Sequence, residues 1–279
     1  MWGRQTAGSV LCPGCGNLVG VRDDKCLTCG RLRPGLWGFA GLLRGRGDDL
    51  GFLALVMWAC GALYLATLAV NFQGVGLSGL LDFLSPDGGS LFLFGASGSV
   101  PVFGYGRWWS VLSAGWLHGS VLHIVFNMMA ARTLIPACAT FYGPARTVIL
   151  WVGACVTGFA LSSAAGLVRG GNYTIGASAS IFGLIGALAW YGRRGGSRMV
   201  AAHAREWALS GLLMGFLVPG IDNWAHGGGF VGGYLVARWL DPLQPERGDH
   251  AIIALALLLA SVVAVIVSVV TGLPHVRGG

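Results

Sequence analysis

Charge is scarce in this chain. Only 10% of its 279 residues are Asp, Glu, Lys or Arg, whereas 54% are hydrophobic. A soluble domain ordinarily carries about 25% charged residues, so a soluble globular protein is excluded. Acid is scarcer than base, with 11 Asp and Glu in all, and none lies in the middle of a long apolar segment. Ion-coupled transport would need a polar or acidic group there, and no inverted repeat is evident, so a transporter is disfavoured. The first 50 residues lack a compact apolar core behind a basic start, so no cleavable signal peptide is expected.

What is present is a series of apolar runs near the roughly 20 residues that a spanning helix needs. Seven are read, at about 51–71, 111–131, 145–168, 178–191, 207–221, 225–240 and 251–271. Gly is abundant at 48, and small residues let membrane helices approach closely where lipid is as apolar as leucine. The formal charge of +7 fits nucleic acid or anionic lipid as a partner. Its distribution favours membrane topology. With seven crossings, 15 of the 18 Lys and Arg fall on one side, including Arg132, Arg146, Arg193 and Arg194, and only Arg107, Arg169 and Arg277 on the other. The positive-inside rule then predicts a cytosolic N-terminus and an external C-terminus, and no nucleic acid partner is expected. A multi-pass protein of a bacterial plasma membrane is the expected placement.

Residues 1–35 read as a separate cytosolic unit. Cys12-Pro13-Gly14-Cys15-Gly16 and Cys26-Leu27-Thr28-Cys29-Gly30 are two C-x2-C knuckles. Four thiolates in two such pairs suit tetrahedral zinc, each Gly suits a tight turn, and a reducing cytosol disfavours the alternative of disulfides. So small a unit has little core, and metal binding would supply its folding energy. Cys60, Cys138 and Cys155 read as small buried apolar residues. Residues 36–50 form a linker. Leu36-Trp37-Gly38-Phe39 and Leu42-Leu43 between arginines fit either a segment lying on the inner leaflet or a plain Gly-rich tether. A protein partner for the zinc unit is possible, unnamed by the sequence. Residues 51–271 are the membrane domain, with a long apolar connection at about 72–108.

Three clusters carry candidate chemistry. The apolar run that Ser178 opens has 14 residues to Tyr191, about 21 Å of helix against a hydrocarbon core of about 30 Å. Arg193 and Arg194 pin its far end at the inner surface, so Ser178 should start a helix below the outer surface. Irregular backbone over 170–176 is tolerated there only in protein or beside water. Free amides and the helix dipole suit an oxyanion, whereas the plain alternative is a capping serine. The second cluster starts at His226, a rare intramembrane histidine. Gly229 and Gly233 share its face and permit a close seam, and Phe182 shares a face with Ser178 and Gly186. In the third, His123 and Asn127 are spaced i, i+4. They fit oxyanion donors or interhelical hydrogen bonds. His118 is expected to brace the loop, and the histidine spacing is poor for a metal site.

With these residues in view, the chain closely resembles the rhomboid family of intramembrane serine proteases. The resemblance rests on Gly176-Ala177-Ser178, on Ala225-His226-x-x-Gly229-x-x-x-Gly233, and on His118 with His123-x-x-x-Asn127, over roughly residues 51–271. It implies an all-α polytopic membrane protein, with a rhomboid-like six-helix bundle plus one C-terminal transmembrane helix, preceded here by a small zinc ribbon. It also implies a catalytic dyad of Ser178 and His226 with no third acid, an oxyanion hole from His123 and Asn127, and an aromatic at Phe182 packing on the histidine. Gly176, Gly229, Gly233 and His118 are supporting residues. The metal ligands of the ribbon would be Cys12, Cys15, Cys26 and Cys29, and catalysis would need no cofactor. Substrates would be transmembrane segments of other proteins. The alternative is a non-catalytic rhomboid-like protein that binds transmembrane helices. Two residues depart from the family pattern. Ala179 follows the serine where Gly is usual, and Ser110 follows Trp109 where Arg is usual.

Overall fold

The computed structural model describes residues 5–12, 15–38, 48–77, 79, 81–244 and 246–277. The core of the expected interfacial segment, residues 39–47, lies outside the described residues, as do Pro13 and Gly14 of the first knuckle.

The N-terminal unit is two short strands, β1 (Ser9–Leu11) and β2 (Leu18–Gly20), paired antiparallel with Val10 opposite Val19. Gly16 and Gly30 close the two knuckles at φ +74° and +73°. Their amides bond Cys12 O and Cys26 O, a left-handed backbone that a side chain would strain.

The rest of the described chain is mainly helical. It comprises α1 (Phe52–Val70), α2 (Gly88–Phe94), α3 (Ser110–Ser113), α4 (Val121–Tyr142), α5 (Pro144–Val168), α6 (Ser178–Gly195), α7 (Arg198–Leu217), α8 (Asn223–Trp239) and α9 (Gly248–Arg277). Seven of these are long, matching the seven apolar runs. Four (α1, α4, α5 and α9) are by themselves long and apolar enough to cross a membrane. The other three qualify less simply. The α7 helix carries Arg198, Arg205 and Glu206, and α8 has only 17 residues. The α6 helix is buried along most of its length and packs against α4, α5, α7 and α8. Its apolar side chains meet protein, so it needs no lipid-facing apolar surface.

Boundaries differ from the sequence expectation at α7, which starts at Arg198 where the apolar run starts near 207, and most of all before α4. The run read as a helix over 111–131 is a short α3, a 3-10 turn at Ala114–Trp116 and an extended Leu117, and only then α4 from Val121. Ser120 caps α4 by accepting from the His123 amide. A Ser at this place competes for backbone hydrogen bonds and starts a helix rather than continuing one. The later start moves Arg132 from the expected inner end to the middle of α4, on an exposed flank.

At the bundle end opposite Ser178, buried Glu246 accepts a hydrogen bond from the Arg146 amide at 2.9 Å. Arg146 also donates to Leu240 O and Asp241 O, tying α5 to the end of α8. Arg31, beside the second knuckle, reaches Glu246 at 3.9 Å. The cysteine unit therefore touches the helical bundle there.

Candidate active site

Ser178 is the first residue of α6, and Ala177 holds the cap position with no side-chain capping bond. The serine is therefore not spent on capping the helix. Gly176 precedes it at φ +121°, and a Cβ there would sit 2.6 Å from His123 Nε2 and 3.7 Å from Ser178 Oγ. Both the backbone angle and the crowding demand glycine. The same construction shows that His123 and Ser178 face one small volume.

His123 arrives from the first turn of α4. Its Nδ1 accepts the Gly119 amide at 3.3 Å. A neutral imidazole that accepts at one nitrogen carries its proton on the other, so Nε2–H is a donor toward the Gly176–Ser178 corner. The Asn127 side chain donates to His123 O at 2.8 Å. That bond spends one of the two N–H groups of the amide and leaves the other. His118 is fully buried and meets the His123 ring edge-on, with centroids 5.1 Å apart.

His226 lies in the first turn of α8. Its ring stacks on Phe182, with centroids 4.1 Å apart and planes 13° from parallel. Phe182 in turn fills the space opposite Gly211 of α7, where a Cβ would come within 2.5 Å of the ring. Gly211 was not singled out in the sequence, because its partner lies on a different helix. The α6–α8 contact is backbone on backbone. A Cβ on Gly229 would collide with the Ala179 carbonyl, and one on Gly233 with that of Gly183. Gly158 of α5 closes the third side, since a Cβ there would lie 2.7 Å from Ala225 O and 2.8 Å from Ala179 Cβ. Ala179 is buried in this seam. No hydrogen bond joins Ser178 to His226 in this arrangement, and His226 Nδ1 is buried without a hydrogen-bond partner among the described residues.

Asp222 lies just before α8 and is not simply solvated loop. Its carboxylate caps α8, accepting from the amides of Trp224 and Ala225 at 2.9 and 3.1 Å, and takes a short hydrogen bond from Ser162 of α5. Ser162 Oγ also accepts from Asn172 Nδ2 at 2.9 Å, and Asn172 Oδ1 accepts the Ser99 amide at 2.7 Å. Capping residues are recognisable only once the helix start is known. A cavity of about 720 Å³ opens at this end between Asp87–Phe92 and Tyr173–Ile175, just before Gly176.

The four N-terminal cysteines also converge. Their sulfurs lie within 4.8 Å of one another, with Cys12–Cys29 at 3.6 Å and Cys15–Cys26 at 3.7 Å. A zinc tetrahedron with bonds of about 2.3 Å has edges of about 3.8 Å. The Cys29 amide holds the Cys26 thiol down to about 6, while burial pushes Cys29 up to about 12. A cation among the sulfurs would favour the thiolate form of all four. The cluster can bind a metal ion.

The fold and site define a multi-pass helical membrane protein with serine, histidine and donor side chains converging at one end of a bundle. Residues 105–242 match the Rhomboid domain family, so the chain carries a rhomboid domain. It is 30% identical over 174 residues to Rhomboid protease GluP of Bacillus subtilis, covering 61% of this chain and 33% of that protein. It is 30% identical over 149 residues to RHOMBOID-like protein 4 of Arabidopsis thaliana, covering 50% and 36%. It is 30% identical over 159 residues to Rhomboid-like protease 5 of Toxoplasma gondii, covering 55% and 18%. The matched region is thus about a third or less of each relative's length. Because the relatives come from a bacterium, a plant and a parasite, they do not bear out the expected bacterial source.

Proposed function

We propose that the chain is an intramembrane serine endopeptidase using Ser178 and His226. The observation that carries this reading is the convergence at Gly176, where Ser178 Oγ and the donor nitrogen of His123 share one corner. The stacked Phe182–His226 pair completes it from α8. His226 takes the Ser178 proton as Oγ attacks a peptide carbonyl. The oxyanion is stabilised by His123 Nε2–H, the remaining Asn127 N–H and the Ser178 amide. The imidazolium then protonates the leaving amine, and water hydrolyses the acyl-enzyme with His226 again as base. No third side chain orients the imidazole, and ring stacking on Phe182 takes that role. Ser178 and His226 are apart in the resting arrangement, which is common where catalytic hydrogen bonds tighten only with substrate.

Substrates are transmembrane segments that unwind near the outer leaflet, and the cavity beside Tyr173–Ile175 is the proposed entry for extended chain. The proposed topology has the N-terminus cytosolic and the C-terminus external. The proposed units are the ribbon at 1–35, the linker at 36–50 and the membrane domain at 51–271. The ribbon holds structural zinc on Cys12, Cys15, Cys26 and Cys29, and catalysis needs no cofactor.

Two experiments test these readings. A fluorophosphonate probe should label the solubilised protein, and Ser178→Ala and His226→Ala should each remove the label. Folded wild type that neither labels nor cleaves a transmembrane substrate would favour the non-catalytic, helix-binding alternative. Metal analysis of purified protein should find one zinc per chain, reduced at least about tenfold by a Cys12→Ser, Cys26→Ser double substitution. Unchanged zinc in that variant would remove the ribbon assignment.

A further inference from the structure

Arg107 is a buried cation with no carboxylate in reach among the described residues. It is 3% exposed, and no ion pair involving it is formed among the described residues. It donates instead to two carbonyls, Phe92 O at 2.6 Å and Ser268 O at 2.7 Å, with its guanidinium 4.0 Å from the centroid of the Phe92 ring. Phe92 belongs to the last turn of α2, where the helix dipole favours a cation. Ser268 belongs to α9, the helix beyond the six-helix core. A buried charge is expensive, and this one joins a loop to a distant helix.

Other contacts widen the joint. Trp109 Nε1 donates to Ser268 Oγ at 3.1 Å. A Cβ on Gly95 would meet Ser268 Oγ at 2.5 Å and Ser113 Cβ at 2.8 Å, and one on Gly272 would lie 3.1 Å from Leu93 Cα. From this loop, hydrogen bonds lead to the serine. Ser110 Oγ donates to Ser97 Oγ at 3.1 Å. Ser97 and Thr174 exchange both backbone bonds, at 3.0 and 2.8 Å, and the Gly176 amide donates to Ala114 O at 3.0 Å. Gly176 is two residues from Ser178.

We propose that Arg107, held on Ser268, makes the C-terminal helix a strut that positions the 172–176 segment and, through it, Ser178. Arg107 is a positioning residue, acting on Ser178 through the 172–176 segment. The inference takes Ser178 as nucleophile from the function proposed above.

The test compares full-length wild type with Arg107→Met and Arg107→Lys by amide hydrogen exchange and by fluorophosphonate labelling. In Arg107→Met, exchange at Thr174 and Gly176 should accelerate by more than about tenfold, the loss of two charge-assisted bonds, while amides in the middle of α5 keep wild-type rates. Ser178 labelling should fall by about tenfold as the segment loosens. Arg107→Lys, which reaches one carbonyl, should restore part of both. Wild-type exchange at Thr174 and Gly176 in folded Arg107→Met overturns the proposal. If Arg107→Met does not fold, Trp109→Phe decides. It keeps the ring and loses one hydrogen bond, so local acceleration of about threefold to fivefold supports the strut, and none overturns it. Wild type that exchanges as expected yet never labels refutes the nucleophile while leaving the strut standing on its exchange result.

Discussion

Ser178→Ala and His226→Ala are each expected to lower cleavage of a transmembrane substrate by about 10⁴-fold or more, the scale lost when a nucleophile or its base is removed. The double substitution should cost little beyond either single one, because in the proposed mechanism the two side chains act as a unit. Folding should be nearly untouched. Ser178 Oγ does not cap α6, so its loss leaves no helix end unsatisfied. His226→Ala gives up ring stacking on Phe182, about 0.5–1.5 kcal/mol for such a pair, and His226→Phe provides a control that keeps a stacking ring. Thermal unfolding of each variant beside its cleavage rate separates chemistry from stability. Cleavage retained at even a tenth of the wild-type rate in Ser178→Ala would dismiss the serine as nucleophile.

The second large effect is expected in the seam. Gly→Ala inside a helix ordinarily stabilises it by about 0.5–1 kcal/mol. At Gly229 and Gly233 the sign should reverse, since the new methyl meets the carbonyls of Ala179 and Gly183. These are backbone atoms that cannot swing aside, so α6 and α8 must separate, at a cost of about 1–3 kcal/mol for overpacking. A separation of about 1 Å between nucleophile and base helices is also expected to lower the rate by about 10²-fold. Gly227 is the internal control. It lies on the same helix, next to His226 in sequence and so about 100° round on another face, and a Cβ there meets nothing within 4 Å. Gly227→Ala should be neutral or stabilising with full activity. Equal tolerance at Gly227, Gly229 and Gly233 would show that the seam does not set the geometry.

Much of this arrangement is legible in the chain because membrane constraints are simple. Length and apolarity mark the helices, and the shortness of the Ser178 run before Arg193 and Arg194 places a helix start at Ser178, where α6 does begin. The i, i+3, i+7 spacing of His226, Gly229 and Gly233 marks the close face. The start of α4 is not legible from apolarity, since the apolar run continues through Val111–Trp116 and only the capping Ser120 marks the break. Residues whose meaning lies in a distant partner are equally silent. Gly211 has a meaning only against Phe182, Asn172 against Ser99 and Ser162, and Arg107 against Ser268. Asp222 looks like loop until the first turn of α8 is seen to need its carboxylate.

The glycine seam between α6 and α8 also bears on how the protein meets membranes of different thickness. Bilayers thicken and thin with composition, and helices answer by tilting. An interface made of side chains has rotamers through which two helices can shear past one another. At Gly229 and Gly233 carbonyls abut a helix surface without side chains, so there are no rotamers to absorb shear. The pair should lean as one body, carrying the starts of α6 and α8 together while their depth below the surface changes. On the proposed function, a thinner bilayer would then alter which peptide bond of a substrate reaches Ser178, and leave the chemistry at that bond as it was.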